Sequence, residues 1–183
     1  MRQSFSAWLL KLFGWTIEGE IPAKGRYIVI VGPHTSNWDF PIGILAQWAL
    51  GMSANFIGKH QLFRWPTGWL FRALGGFPVN RGKQNNLVST AVDLFATRDN
   101  FILALAPEGT RKPVSRWKTG FYHIARQARV PIYCAGLNFQ QRKIIVRPPL
   151  MAGEDMAGDM NTILDFFRAI PGKYPQPVPR YEE

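Results

Sequence analysis

Three short segments carry the residue types that could do chemistry, and each follows an apolar run. The first is His34-Thr-Ser-Asn-Trp-Asp39, after the run RYIVIV at 26–31. A histidine and an aspartate five residues apart across a strand-to-helix turn can meet. The carboxylate then accepts the proton of one imidazole nitrogen, fixes the tautomer and makes the other nitrogen a better base. Such a pair is equipped to deprotonate a hydroxyl. A plain structural alternative stands beside it: Ser36 and Asp39 fit the S-x-x-D pattern of a helix capping box, and one His-x4-Asp spacing arises readily by chance. The second segment is Pro107-Glu108-Gly109-Thr110-Arg111, after FILALA at 101–106. Arg111 offers a planar fork for a phosphate, Thr110 a hydroxyl, and Glu108 a carboxylate to position a cation. Its alternative is a simple turn favoured by Pro and Gly. The third, Gly76-Phe-Pro-Val-Asn-Arg81, places Arg81 just past a short strand, with a solvated surface arginine as the alternative.

Several common chemistries lack their residues. There is no G-x-S-x-G elbow, no G-x-G-x-x-G, no P-loop and no H-E-x-x-H, so a serine hydrolase, a dinucleotide enzyme and a P-loop NTPase lose their support. The three histidines, His34, His60 and His123, are too far apart for zinc-ligand spacing, and no metal site is expected. The single cysteine, Cys134, excludes an internal disulfide and lies in an apolar run, where a buried thiol is the natural reading.

The elements that must position these segments alternate between strand and helix. Strands are expected at 26–31, 53–57, 77–79, 101–106, 131–137 and 143–147. Helices are expected at 39–50, 84–98, 117–129 and 159–170, and at 61–74 with a break near 66–68. This order predicts a single α/β domain with a mixed, largely parallel sheet flanked by helices. In such sheets ligands bind beyond the carboxyl ends of the strands, where the first two segments fall. Ahead of the domain, Phe5, Trp8, Leu9, Leu12 and Phe13 recur at helical spacing and mark an amphipathic N-terminal helix. The chain divides into that helix and its connection (1–19), the domain (20–170) and a Pro-rich tail (171–183) that is extended or disordered.

The 183 residues suit one domain with a real core. Twenty-two Lys and Arg against 12 Asp and Glu give a net charge of +10. Fifteen of the basic residues lie between Lys59 and Arg147, with only three acidic ones among them. An anionic partner is therefore expected: nucleic acid, an anionic membrane or a phosphorylated substrate. No clean secretory signal is read at the N-terminus, where Lys11 interrupts the apolar run. The uncharged stretch from Phe40 to Gly58 has the length of a membrane span, but its Pro, Gly and polar residues read as a buried helix, a turn and a strand.

Taken together, HTSNWD, GGFPVNR and PEGTR, in this order and followed by the apolar Val130-Pro131-Ile132, closely resemble the motif blocks of the glycerolipid (lysophospholipid) acyltransferase family, whose 1-acylglycerol-3-phosphate acyltransferases are the best-known members. The resemblance spans about residues 20–150 and is specific because all four blocks occur in series. It implies an O-acyltransferase that moves a fatty acyl group from acyl-CoA or acyl-carrier-protein, as co-substrate, to the free hydroxyl of a lysophospholipid, lysophosphatidate by default. It needs no further cofactor. His34 and Asp39 would be the catalytic pair, acting by general-base catalysis without a covalent intermediate. Arg81, Glu108, Gly109, Thr110 and Arg111 would hold the acceptor phosphate, with Glu108 shaping the arginine site. Backbone N–H groups at the start of the helix after His34 are the expected oxyanion donors.

A lipid substrate gives the exposed-looking aromatics a second meaning. Phe5, Trp8, Leu9, Leu12 and Phe13, with Trp65 and Trp69 of the aromatic-basic segment at 61–76, are expected to touch a bilayer. Arg64 and Arg72 would suit anionic lipid headgroups. The protein would then sit at the cytoplasmic face of a membrane, peripheral or monotopic, working in phospholipid biosynthesis or remodelling. The competing expectation for each stripe is a helix packed on the core. Two other classes stand against the leading one: acylation of a different hydroxylated lipid, and a basic non-enzymatic protein binding nucleic acid or membrane. No nucleic-acid partner is expected, because the chain lacks an RNA-recognition signature and a clustered basic recognition helix.

Overall fold

The computed structural model describes residues 1–79 and 84–181, with 58, 59, 62, 79 and 84–86 described by backbone alone. Among the described residues seven strands form one sheet: β1 (Thr16–Glu18), β2 (Arg26–Gly32), β3 (Ala54–Lys59), β4 (Gly76–Val79), β5 (Phe101–Leu105), β6 (Ile132–Asn138) and β7 (Lys143–Leu150). Their order is β1-β7-β6-β2-β5-β3-β4. Every neighbouring pair is parallel except β6 and β7, so the sheet is mixed and largely parallel, as the alternation of elements predicts.

Among the described residues six α-helices flank it: α1 (Arg2–Leu12), α2 (Asp39–Ala49), α3 (Gly68–Ala73), α4 (Gln84–Thr97), α5 (Gly120–Ala128) and α6 (Met156–Arg168). The two sides of β2 show how the layers are divided. Ile28 and Ile30 face a core with Phe95 of α4, Ile124 of α5 and Ile163 of α6. Tyr27 and Val29 face the other side, among Met52, Ile102 and Tyr133, and α1 and α2 cover that side further along through Leu10, Ile42 and Ala46. Burial on both sheet faces explains why the central strands read as continuous apolar runs. Each fully buried large side chain of this kind contributes roughly 1.5–3 kcal/mol.

Besides end shifts of up to three residues at β7 and α6, three differences from the sequence reading have local causes. The helix expected from Trp117 begins only at Gly120. Trp117 is instead buried against Phe167, ring centroids 5.1 Å apart, and the Lys118 N–H donates to the Pro107 carbonyl at 3.0 Å. Those two anchors hold 117–119 out of helical geometry. The segment 61–74 splits into a 3-10 turn (His60–Phe63) and α3. The split is tight at Gly68, where any Cβ would run into the Phe63 carbonyl. Strand β1 was not expected. It has only three residues, alternately exposed and half-buried, and is held at the sheet edge by pairing with β7 and by the Lys143–Glu18 ion pair at 2.5 Å.

The amphipathic helix α1 exists, but its apolar stripe does not face the core. Ser6 and Leu10 are its buried residues. Leu9 is half-buried, and Phe5, Trp8, Leu12 and Phe13 point outward, Trp8 with 56% of its surface exposed. The aromatic segment divides in the same way: Phe63 is buried, while Trp65 and Trp69 are 93% and 70% exposed. Helix α2 lies between the two groups. It packs on α1 through Leu10, Ile42 and Ala46 and meets α3 through Phe40 and Phe71, ring centroids 5.7 Å apart.

Candidate active site

Strands β2 and β5 are parallel neighbours, with Ile30 opposite Leu105. The chain therefore leaves both at the same edge of the sheet, and the His34 and Glu108 segments emerge side by side. Strand β4 runs parallel to the sheet centre and ends at that edge too, but Arg81 beyond it lies outside the described residues.

The turn after β2 is organised around one carboxylate oxygen. Asp39 Oδ2 accepts the Thr35 N–H and the Ser36 N–H, each at 2.8 Å, and lies 3.0 Å from His34 Nδ1. The Ser36 hydroxyl accepts the Trp38 N–H at 3.2 Å. The expected capping box is only half formed: the Ser36 N–H meets Asp39, but α2 starts at Asp39 with Trp38 before it and the Ser36 hydroxyl serves Trp38; the oxygen that takes the Ser36 N–H also faces His34. The Asp39 side chain is only 2% exposed, against 22% for His34. With Nδ1–H donating to Asp39, a neutral His34 keeps its free lone pair on Nε2. The Thr35 and Ser36 N–H groups are both committed to Asp39.

Glu108 reaches across to the first segment: its Oε1 accepts the His34 backbone N–H at 2.9 Å. The side chain is buried, and Oε2 has no hydrogen-bond partner among the described residues. Burial pushes its carboxyl above the usual range, opposed by the His34 N–H bond. Gly109 adopts φ +64°, a left-handed geometry that favours glycine, and a Cβ there would come within 3.1 Å of Lys118 Nζ. The Thr110 hydroxyl accepts the Lys112 N–H at 3.3 Å. Arg111 Nε donates to the Ser36 carbonyl at 3.1 Å and so ties the second segment to the first. The expected His–Asp pair, Glu108 and Arg111 are therefore brought together within one pair of loops.

Two contributors had no signal in the sequence. Lys118 covers Gly109, yet nothing in its spacing sets it apart from other surface lysines. The Pro-rich tail, expected to be extended or disordered, is extended and docked. The Tyr174 N–H donates to Thr35 Oγ1 at 3.3 Å, and Gln176 Nε2 donates to the Arg111 carbonyl at 2.9 Å.

Residues 15–138 match the family model described as Acyltransferase. The chain belongs to the acyltransferase family. It is 29% identical over 123 residues to a 1-acyl-sn-glycerol-3-phosphate acyltransferase of Cocos nucifera, covering 64% of this chain and 39% of the coconut protein. The chain thus spans about two-fifths of the length of that relative. Among solved structures it resembles PlsC, the 1-acyl-sn-glycerophosphate (LPA) acyltransferase of Thermotoga maritima, with a TM-score of 0.61. That match covers 91% of this chain and 75% of PlsC at 16% identity, and it bears on the fold. All four acyltransferase motif blocks read in the sequence begin within the matched region, the last of them at Val130.

Proposed function

We propose that this acyltransferase moves a fatty acyl group from acyl-CoA or acyl-carrier-protein to the free hydroxyl of a lysophospholipid, with lysophosphatidate as the first candidate. The observation that carries the proposal is the His34 Nδ1–Asp39 Oδ2 contact at 3.0 Å in the loop after β2, on a chain of this family. A thioester is already activated, so the enzyme needs a base more than a nucleophile. His34 Nε2 takes the proton of the acceptor hydroxyl as its oxygen attacks the thioester carbonyl. The tetrahedral intermediate then expels the thiolate, which recovers the proton from the imidazolium. General-base catalysis of this kind contributes roughly 10²–10⁴-fold. Asp39 holds the tautomer and stabilises the imidazolium as it forms. Arg111, with one guanidinium N–H spent on Ser36, directs the rest of its fork to the acceptor phosphate, together with Arg81.

The lipid acceptor gives a role to the outward aromatics. Phe5, Trp8 and Leu12 on α1 and Phe13 at its end, with Trp65 just before α3 and Trp69 on it, would enter the interfacial layer, and Leu9 would back them. No helix among the described residues is long and apolar enough to cross a membrane. The proposed placement is peripheral or monotopic, at the cytoplasmic face, against anionic lipid. The work served would be phospholipid synthesis or remodelling.

The test is acyl transfer by purified protein in mixed micelles, with acyl-CoA and acyl-carrier-protein each offered against a panel of lysolipids. Formation of phosphatidate from lysophosphatidate, ahead of uncharged acceptors, is expected. Equal or better transfer to an acceptor without phosphate would overturn the assignment of the acceptor. Absence of transfer to every lysolipid would overturn the reaction.

A further inference from the structure

The tail from Pro171 to Tyr181 is fixed at both ends and touches both catalytic loops in between. Upstream, the Phe139 N–H donates to the Pro171 carbonyl at 3.2 Å, at the end of β6. Downstream, Arg168 of α6 donates to the Val178 carbonyl at 3.3 Å and the Pro179 carbonyl at 2.6 Å, and the Tyr181 N–H donates to Asn161 Oδ1 at 3.1 Å. Val178 and Tyr181 also pack on the main core. Between these anchors Lys173 Nζ lies 5.3 Å from the Trp38 ring. Gly172 lies so close to the His34 loop that a Cβ would come 2.6 Å from Thr35 Oγ1 and 2.8 Å from Thr35 Cγ2. Gln176, Pro177 and Val178 share a cavity of about 10 Å³ with Pro33, Thr35 and Glu108.

We propose that residues 171–181 form a positioning strap for the active site, in which Gly172 and Gln176 hold the His34 and Arg111 loops in one geometry. The route is short. Gly172 and the Tyr174 N–H confine Thr35, and the Thr35 N–H is one of two backbone donors that fix Asp39 Oδ2. Asp39 in turn orients His34. Gln176 grips the Arg111 carbonyl, and the Arg111 side chain grips Ser36 in the same turn. A strap tied down on α6 and β6 thereby transmits the rigidity of the core to two loops at the sheet edge. Misplacement of reacting groups by about 1 Å can cost 10²-fold in rate, so this restraint is felt in turnover. The inference rests on the reading of His34 and Asp39 as the reacting pair.

The experiment compares wild type, Gly172→Ala, Gly172→Ala with Thr35→Ala, and Gln176→Ala. Each is read by acyl-transfer kinetics and by amide hydrogen exchange of residues 33–39 and 107–112. Gly172→Ala is expected to lower kcat about tenfold or more with little change in KM, and to speed exchange at 33–39 without loss of protection in β2 or β6. Thr35→Ala removes the two closest atoms that the new methyl meets, leaving Pro33 Cγ at 3.2 Å, and is expected to restore part of the protection and turnover. Gln176→Ala, at a half-buried residue and free of any clash, is expected to speed exchange at 107–112 and raise KM for a phosphate-bearing acceptor. Wild-type exchange and turnover in both Gly172→Ala and Gln176→Ala would overturn the strap. A wild-type protein that transfers no acyl group would count against the acyltransferase chemistry, and the exchange data would still decide the strap.

Discussion

Replacing Asp39 separates its charge from its scaffolding, because one oxygen does both jobs. In Asp39→Asn the amide oxygen can take the place of Oδ2 and still accept the Thr35 and Ser36 N–H groups. What disappears is the negative charge facing His34. Two unit charges about 4 Å apart attract by about 1 kcal/mol in water and about 4 kcal/mol at an effective dielectric of 20. The His34 side chain is 22% exposed, so its environment lies between those limits. Loss of that attraction for the developing imidazolium predicts a fall in kcat of about 5- to 1,000-fold. Asp39→Ala removes the charge and also leaves two N–H groups unpaired, Thr35 and Ser36 being buried. Each unpaired buried donor costs roughly 1–3 kcal/mol. The pair costs about 2–6 kcal/mol, a drop in Tm of about 4–24 °C for a chain of this size. The assays are single-turnover acyl transfer to lysophosphatidate in mixed micelles and thermal unfolding of the same samples. The expected pattern is two slow enzymes, of which the Asn variant melts nearer to wild type. A folded Asp39→Asn enzyme that turns over within twofold of wild type would refute the reasoning.

Glu108→Gln keeps an acceptor for the His34 N–H and removes the titrating carboxyl. Burial raises the carboxyl of Glu108, so the folded state binds its proton more tightly than the unfolded chain does. Stability is therefore lost as pH rises from the ordinary glutamate value through the raised one, and the Gln variant escapes that loss. It is expected to melt above wild type at neutral pH, with the advantage vanishing in acid below the ordinary glutamate value; an advantage that persists unchanged there contradicts the assignment. Arg111→Lys removes the fork and its bond to Ser36. KM for lysophosphatidate is expected to rise while KM for the acyl donor stays near wild type, and equal shifts in both would count against a phosphate role. Trp65→Ser with Trp69→Ser removes two exposed rings, each worth about 1.5–3 kcal/mol if fully buried in lipid. Sedimentation with anionic vesicles is expected to show partitioning at least ~10-fold weaker with Tm unchanged, and undiminished binding would remove these rings from the membrane face.

Much of the fold was legible because the sheet is buried on both sides. Runs such as RYIVIV and FILALA have no reason to be uniformly apolar unless both faces pack, and the helices between them kept a clear stripe. The site was legible because its residues cluster in two short segments at the ends of two adjacent parallel strands. What stayed hidden depends on distant partners. Sequence spacing joined Ser36 to Asp39 and His34 to Asp39, but only the folded turn shows one oxygen answering both. Glu108 read as a carboxylate free to position a cation; the fold carries it across to the His34 main chain. The tail carries no periodicity because it is held through backbone carbonyls and N–H groups, which leave little trace in residue type. The stripe on α1 was visible, but which way it faces was set by Leu10 packing with Ile42 and Ala46 of α2, a choice that periodicity alone does not make.

The central claim is that His34, held by Asp39, is the base for direct transfer of an acyl group to a lipid hydroxyl. The most direct measurement is the single-turnover rate of phosphatidate formation from acyl-CoA and lysophosphatidate by wild type and by His34→Ala, with the intact mass of the protein followed in the same samples. The account predicts transfer by wild type, a fall of roughly 10²–10⁴-fold in His34→Ala, and no acylated protein at any time. Transfer that survives in His34→Ala, or an acyl adduct that forms and decays at the rate of product formation, would contradict it.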